Sequence, residues 1–283
     1  MAKVADIVDR FLAWCTQQRA KATVKFYRSR LAKFRAAFGQ RDWSTLTQIE
    51  IEDHLSLIGQ GASSSTRHHN VVALNTLQSW GMARDLIDKR AFEKLEKPRP
   101  GQRTRIPTEQ ETEIILAAGS EAFCRIYQAL RHCGARPGEL CRATIADLKE
   151  GGTVIELAEH KTSRKTGKPR RILVGQKMRE IVAEAIGDRK SGPIFLSPAG
   201  KAWKPENLSR TFRKLRDDHG LQREGSDKLV LYMTRHEFGT KATEKLGIHA
   251  AGEMLGHTQI TTTQRYAHAD ENKLRTQQDS VLD

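Results

Sequence analysis

The chain has 283 residues, room for one large core or two of ordinary domain size, and its 38% hydrophobic content supports folding, not disorder. Lys and Arg number 48 against 34 Asp and Glu, a formal net charge of +14 with a pI near 9.8, which points to a polyanionic partner, nucleic acid first. No apolar run reaches the length of a bilayer span and the opening MAKVADIVDR lacks the apolar stretch of a signal peptide, so a membrane protein is excluded and a reducing cytoplasm is expected.

Over the first ninety or so residues, Val4, Ile7, Val8, Phe11, Leu12 and Cys15 recur at helical spacing, as do Val24, Tyr27, Leu31, Phe34 and Phe38. Ile51, Leu55 and Ile58 follow, then Val71, Leu74, Leu77 and Trp80, which together predict four or five amphipathic helices. Lys21, Lys25, Arg28, Arg30, Lys33 and Arg35 fall on the polar faces, dense enough to follow a DNA backbone or simply to form a solvated surface. Residues 94–106 include KLEKPRPGQRTR, where two prolines and a glycine break periodicity among basic side chains. This reads as an interdomain linker running near phosphates, with Lys97, Arg99, Arg103 and Arg105 as its candidate DNA contacts.

Helical periodicity returns at Pro107, with Thr108 and Glu111 in a capping pattern before Ile114, Ile115 and Leu116. Thr153–Leu157 and Arg171–Val174 are short β-type runs flanking HKTSRKTGKPR, a predicted hairpin with a basic tip, and Pro193–Leu196 is a candidate third strand. Met178, Ile181, Val182, Ala185 and Ile186 mark another amphipathic helix. The expected fold is therefore mainly α with a small antiparallel β-sheet, an α+β chain of two domains. Cys15, Cys124, Cys133 and Cys141 show no paired CxxC spacing, and His132, Cys133 and Cys141 match no familiar zinc pattern, so the cysteines read as buried free thiols. Acidic residues are scattered, without the convergent carboxylates that would hold Mg²⁺, and no metal is expected.

Three separated segments hold cations or donors in settings suited to chemistry. In GARPGEL, Pro137 suits the first position of a helix and puts Arg136 at its amino-terminal end, where dipole, free amides and guanidinium all favour a phosphate. Glu139, one turn on, can hold Arg136 in position. In LYMTRHEFGT, Arg235 and His236 precede a further helical pattern. In LGHTQITTTQRYAHAD, Gly256 and His257 end an apolar helix, Thr262 and Thr263 can cap a short one, and Tyr266 sits with little apolar company, which draws attention to its hydroxyl.

Arg-x-x-Glu, a hairpin lysine, x-x-x-Arg-His, and Leu-Gly-His with Tyr nine positions after the His resemble the tyrosine recombinases, also called phage-integrase family proteins. The resemblance spans roughly the whole chain and is most specific over Leu255 to His268. It implies a helical core-binding domain over 1–93, the linker at 94–106, a catalytic domain over 107–270 and a tail at 271–283 able to dock on a neighbour, the two domains closing as a clamp on double-stranded DNA. It makes Tyr266 the nucleophile that attacks a DNA phosphodiester to form a 3′-phosphotyrosyl link, with Arg136 and Arg235 on the non-bridging oxygens and His257 donating to the same phosphate. It also implies no cofactor, a recombination site as substrate, a tetramer on DNA, and by family frequency a prokaryotic mobile element.

The resemblance assigns protonation of the leaving 5′-oxygen to a hairpin lysine. Lys161, directly after the first strand, is preferred over Lys165, nearer the tip. Arg164, Lys168, Arg170 and Arg171 are expected on the DNA backbone, with Lys165 joining them if it is not the acid. Where the family commonly has a histidine three positions before the second arginine, Tyr232 stands here; its phenol is a poorer proton acceptor at neutral pH than an imidazole. Its expected part is to orient the phosphate or Tyr266. His236 is expected to face away from the ligand of Arg235 as a structural hydrogen-bonder. A non-cleaving DNA-binding accessory protein and a relaxing topoisomerase are the competing readings.

Overall fold

A computed structural model of the chain describes residues 2–93, 95–101, 105–159, 167–221 and 228–266. The chain divides into two compact units, Met1–Gln102 and Arg103–Asp283.

The first unit is built of four α-helices among its described residues: α1 (Val4–Gln18), α2 (Lys21–Phe38), α3 (Gln48–Gly59) and α4 (Ser64–Met82), with a short 3-10 turn at Trp43–Thr45. The starts of α3 and α4 are set by side-chain caps. Thr47 and Glu50 form a reciprocal capping box at α3, and the Ser63 hydroxyl accepts from the Thr66 amide at α4. Ile7, Phe11, Leu31, Phe34, Ile51 and Leu77 interlock in one fully buried core, as their helical spacing requires. Buried Gln78 fastens the segment after α4 by accepting from the Ala91 amide and donating to the Phe92 carbonyl at 2.9 Å. Lys21, Lys25, Arg28, Lys33 and Arg35 stay exposed on α2. Arg35 is nonetheless held by Asp9 through two bonds of 2.9 and 2.7 Å.

The second unit opens with α5 (Glu109–Ala118), whose Thr108 and Glu111 form the expected capping box, and α6 (Glu121–Cys133), capped by Ser120. A short α7 (Pro137–Arg142) follows, then β1 (Leu148–Lys149), β2 (Val154–Leu157) and β3 (Arg170–Leu173), an antiparallel sheet in chain order with Ile155 opposite Ile172. Helices α8 (Gln176–Ile186), α9 (Pro205–Asp218) and α10 (Met233–Leu255) complete it, the last interrupted at Gly247. Phe123, Ile126, Leu130, Leu140, Ile155, Ile172, Ile194 and Phe212 centre the core. Cys15, Cys133 and Cys141 are buried and Cys124 half-buried, all as free thiols. Desolvation pushes the Cys133 and Cys141 thiols up to about 12.

The chain is thus mostly helical with a small antiparallel sheet, but two elements differ from the sequence reading. Pro193–Leu196 is not the third strand; β1 is. The Ile194 amide donates to the Ala143 carbonyl, and the Arg189 side chain bonds the carbonyls of Pro193 and Ile194, so this backbone is satisfied outside the sheet. Helix α9 was not anticipated. Its apolar stripe is little more than Leu208 and Phe212, and its third buried side chain, Arg216, is stabilised by donating to the Leu229 carbonyl at 2.8 Å.

Candidate active site

The amino-terminal end of α7 is shaped by its own sequence. Pro137 fixes the first helical position, and Glu139 reaches back to accept from both the Arg136 amide (2.9 Å) and Arg136 Nη1 (2.8 Å). Glu139 is itself 1% exposed, so its carboxylate is fixed deep in the fold. Burial pushes that carboxyl upward, yet the bonds and charge of Arg136, joined by Arg170, outweigh burial and hold it below the usual range.

Arg170, expected on the DNA backbone, is instead 5% exposed. Its Nη2 donates to the Met254 carbonyl at 2.9 Å, its Nη1 to the Arg171 carbonyl, and its Nε lies 3.8 Å from Glu139 Oε2. The alternation of β3 explains the correction, because Arg170 and Ile172 point inward while Arg171 and Leu173 point out. Exposed Arg171 pairs with Glu150 and Glu156. Gly256 makes the arrangement possible: it closes α10 at φ 65°, and a Cβ there would fall 2.5 Å from Arg170 Nη1. The Leu-Gly-His motif is therefore a helix end that leaves room for a buried guanidinium.

Arg235, on the first turn of α10, is 0% exposed. Its Nη1 donates to the Gly134 carbonyl (2.6 Å) and its Nη2 to the Leu255 carbonyl (2.8 Å), tying the ends of α6 and α10 together. Its Nε has no partner among the described residues. Burial, and then the nearby charge of Arg136, bring its guanidinium below the ordinary value. Among the described residues the cluster thus sets Arg136, Arg170 and Arg235 around the single carboxylate of Glu139, an excess of positive charge in which the Nε–H groups of Arg170 and Arg235 make no hydrogen bond.

Tyr266 is brought to this cluster by a 3-10 turn in which its amide donates to the Thr263 carbonyl at 2.9 Å. It is 4% exposed, so the company absent from its local sequence is supplied by the fold. Its ring stacks on His257 at 6.2 Å and 10°, meets the His236 ring at 5.5 Å, and lies flat against α10 at Gly239. A Cβ on Gly239 would sit 2.8 Å from Tyr266 Cε2 and 2.9 Å from Cζ. Burial raises the phenol above its ordinary value, an effect that Arg235 opposes. His257 is lowered to about 4, by burial first and then by Arg235, Arg136, Arg265 and Arg170, so at neutral pH its imidazole is uncharged. Its Nδ1 is 2.7 Å from Thr263 Oγ1.

Arg136, Arg235, His257, Tyr266 and Glu139 therefore come together. Tyr232 stands at the start of α10, 39% exposed, its ring 5.4 Å from His236. His236, expected to face away from the ligand of Arg235, has its ring against both tyrosines: it falls four residues after Tyr232, on the same face of α10. Lys168, Lys97 and Arg99 are exposed, whereas Arg105 is largely covered and ion-paired with Glu111, which corrects its expected place on DNA. Lys161, Arg164, Lys165 and Arg103 lie outside the described residues. Sequence reasoning missed Gly239 and the link from Thr263 to His257. A glycine one helical turn after Arg235 is the available signal for the first; for the second, Thr263 reads from sequence only as a cap, a part its backbone carbonyl fulfils by accepting from the Tyr266 amide.

The sequence profile of the phage integrase family matches residues 108–273, more than half of the chain and all of the cluster above. The chain belongs to the phage integrase family. As a tyrosine recombinase it is a site-specific DNA strand-transferring enzyme, and similar proteins extend over both units. Tyrosine recombinase XerC of Alcanivorax borkumensis is 28% identical over 284 aligned positions, covering 93% of this chain and 89% of the relative. Tyrosine recombinase XerC of Pseudomonas putida is 34% identical over 173 positions, 59% of this chain and 54% of the relative. Among solved structures, a lambda integrase dimer bound to a COC′ core site shares the fold at a TM-score of 0.80 and 18% identity, covering 94% of this chain and 77% of that one. A lambda integrase tetramer bound to a Holliday junction has a TM-score of 0.79 at 18% identity, covering 92% and 79%. The Tn1549 transposon integrase with transposon right end DNA has a TM-score of 0.75 at 18% identity and covers both chains fully.

Proposed function

We propose that Tyr266 is the nucleophile of this recombinase. Its Oη attacks the scissile phosphorus, the P–O5′ bond breaks, and a 3′-phosphotyrosyl link remains. The phenol gives up one proton and the departing 5′-oxygen takes one up, so the step is proton-neutral. Phosphoester energy stays in the new bond, and rejoining needs no nucleotide hydrolysis. Arg136 and Arg235 hold the non-bridging oxygens, His257 donates a further hydrogen bond, and Glu139 and Arg170 fix the guanidinium geometry. Tyr232, exposed at the site margin, orients the phosphate. The leaving oxygen is protonated by a hairpin lysine, Lys161 before Lys165. The observation that carries this reading is the unpartnered Nε of fully buried Arg235 within a cluster of excess positive charge, beside a buried tyrosine.

The working form is a tetramer on a specific duplex site in a prokaryotic cytoplasm, with the tail at 271–283 docking on a neighbour and exposed basic groups such as Lys97, Arg99 and Lys168 on the backbone. Similarity to a transposon integrase and to a junction-bound tetramer supports service to a mobile element and this assembly. Among the described residues no helix is long and apolar enough to cross a membrane. Cleavage sites are first mapped on the genomic DNA flanking the gene, and the mapped site is then made as a nicked suicide substrate. Wild type should trap a denaturant-resistant protein–DNA adduct, and Tyr266→Phe should bind the site without forming it. An adduct that persists in Tyr266→Phe refutes the assignment. A bound site with no adduct favours the accessory-protein reading, and supercoil relaxation without recombinants favours the topoisomerase.

A further inference from the structure

Thr263 is 0% exposed, and its hydroxyl has a single hydrogen-bond partner among the described residues, Nδ1 of His257 at 2.7 Å. Two arrangements fit that distance. If Nδ1 carried the proton it would donate to Oγ1, and the threonine O–H would be left in the protein interior with no acceptor. If Nδ1 is bare, the hydroxyl donates to it and only spare lone pairs of the threonine oxygen go unused. A buried donor without a partner bears its full desolvation penalty, whereas an oxygen with one bond already made tolerates an idle lone pair. The second arrangement is therefore favoured, and it leaves the imidazole proton on Nε2.

The surroundings agree with an uncharged ring. Arg235, Arg136, Arg265 and Arg170 all act on His257, so a second ring proton is disfavoured and a fixed tautomer has chemical meaning at neutral pH. The position of Thr263 is also tightly set. Its amide donates to the Ile260 carbonyl at 2.7 Å, and its Oγ1 would lie 3.1 Å from a Cβ placed on Gly252 of α10. The hydroxyl is thus clamped between the end of α10 and the turn that carries Tyr266.

We propose that Thr263 is a positioning residue that selects the tautomer of His257, keeping Nδ1 as an acceptor so that Nε2–H is presented as a fixed donor to the scissile phosphate. The inference rests on the proposed reading of His257 as a phosphate contact and adds what sets its polarity. On this arrangement His257 does not accept the Tyr266 proton, because its only basic nitrogen is occupied by Thr263. One threonine also couples the two groups that must align: its carbonyl holds the Tyr266 amide and its hydroxyl orients the ring stacked on that tyrosine.

The test compares Thr263→Val, which removes the hydroxyl and keeps the shape, with Thr263→Ser, which keeps the hydroxyl. In ¹⁵N-histidine-labelled full-length protein at neutral pH, with the His257 signals assigned from a His257→Gln variant, wild type and Thr263→Ser should show the proton on Nε2. Adduct formation on the suicide substrate should slow roughly tenfold in Thr263→Val, the scale of one lost hydrogen bond, with unchanged DNA affinity, and return to within about twofold of wild type in Thr263→Ser. A proton on Nδ1 in wild type overturns the proposal, as does a folded Thr263→Val that reacts at the wild-type rate. If Thr263→Val does not fold, the wild-type and Thr263→Ser spectra still decide. Absence of any wild-type adduct would remove the phosphate-contact reading, while the ring-nitrogen signals would separately report whether Thr263 sets the tautomer.

Discussion

Among the described residues Glu139 is the only carboxylate placed among three guanidiniums, and Glu139→Gln removes its charge while keeping its shape and one acceptor oxygen. The wild-type carboxylate is bonded to Arg136 at 2.8 and 2.9 Å and lies 3.8 Å from Arg170, with its side chain 2% exposed. Breaking a buried pair by neutralising one member costs about 3–5 kcal/mol, and the retained shape puts this variant near the lower figure. For a unit of this size about 3 kcal/mol corresponds to a fall in Tm of roughly 6–12 °C. The sign of the pH dependence follows from the lowered carboxyl. Its contribution is fully present above the unfolded value of 4.5 and is lost as pH falls through the lower folded value. Thermal unfolding followed by circular dichroism should therefore show a wide gap between wild type and variant at pH 7 that narrows below about pH 4.5. Sulfate should stabilise the variant more than wild type, since an anion then meets Arg136 without a competing carboxylate. A Tm within a degree or so of wild type at pH 7, or a gap that does not change with pH, would refute the argument that Glu139 is what lets this cluster stay buried.

Two further substitutions separate support from contact. Arg170→Gln should lower Tm by several degrees through loss of its carbonyl and carboxylate partners, yet leave the salt dependence of DNA binding unchanged, because a residue that touches no phosphate releases no counterion; a shallower slope in a salt titration would return Arg170 to the DNA backbone. Gly239→Val should place methyl groups where the Tyr266 ring lies and displace it by about 1 Å, enough to slow adduct formation on the order of a hundredfold while DNA affinity holds; normal cleavage would mean that the ring does not use this groove during reaction.

Much of the site was legible because its parts announce themselves locally. Pro137 after Arg136, with Glu139 one turn on, is a helix start readable from four residues, and the structure builds it with the expected reciprocal bonds. Gly256 before His257 is likewise a helix end. What short-range pattern does not contain is which side of an element a long cation takes. Arg170 and Arg171 are neighbours of the same type in a basic hairpin, and strand alternation buries one and exposes the other. The deciding partners, Glu139 and the Met254 carbonyl, come from 31 and 84 positions away. Buried Arg216 is likewise stabilised by a carbonyl 13 positions away, that of Leu229.

The same reasoning explains why Tyr266 looked isolated. Its sequence neighbours, Gln264 and Arg265 before it and Ala267 after it, offer no ring to pack on, and every ring it touches comes from elsewhere: His236 from the start of α10, His257 from just beyond its end, and between them the bare backbone of Gly239. An aromatic side chain enclosed this way is held in place by α10 and the turn that follows it, so a loss of packing at Gly239 or His257 reaches its hydroxyl. Burial also gives the phenol a raised starting point, which makes deprotonation unfavourable until positive charge is brought to bear. Arg235 is such a charge and already opposes that rise, so the burial that disfavours the phenolate also sets it beside a cation that favours it. The chemistry of the proposed nucleophile is thus set by where the tyrosine is buried and which cation it meets there, and neither is contained in its local sequence.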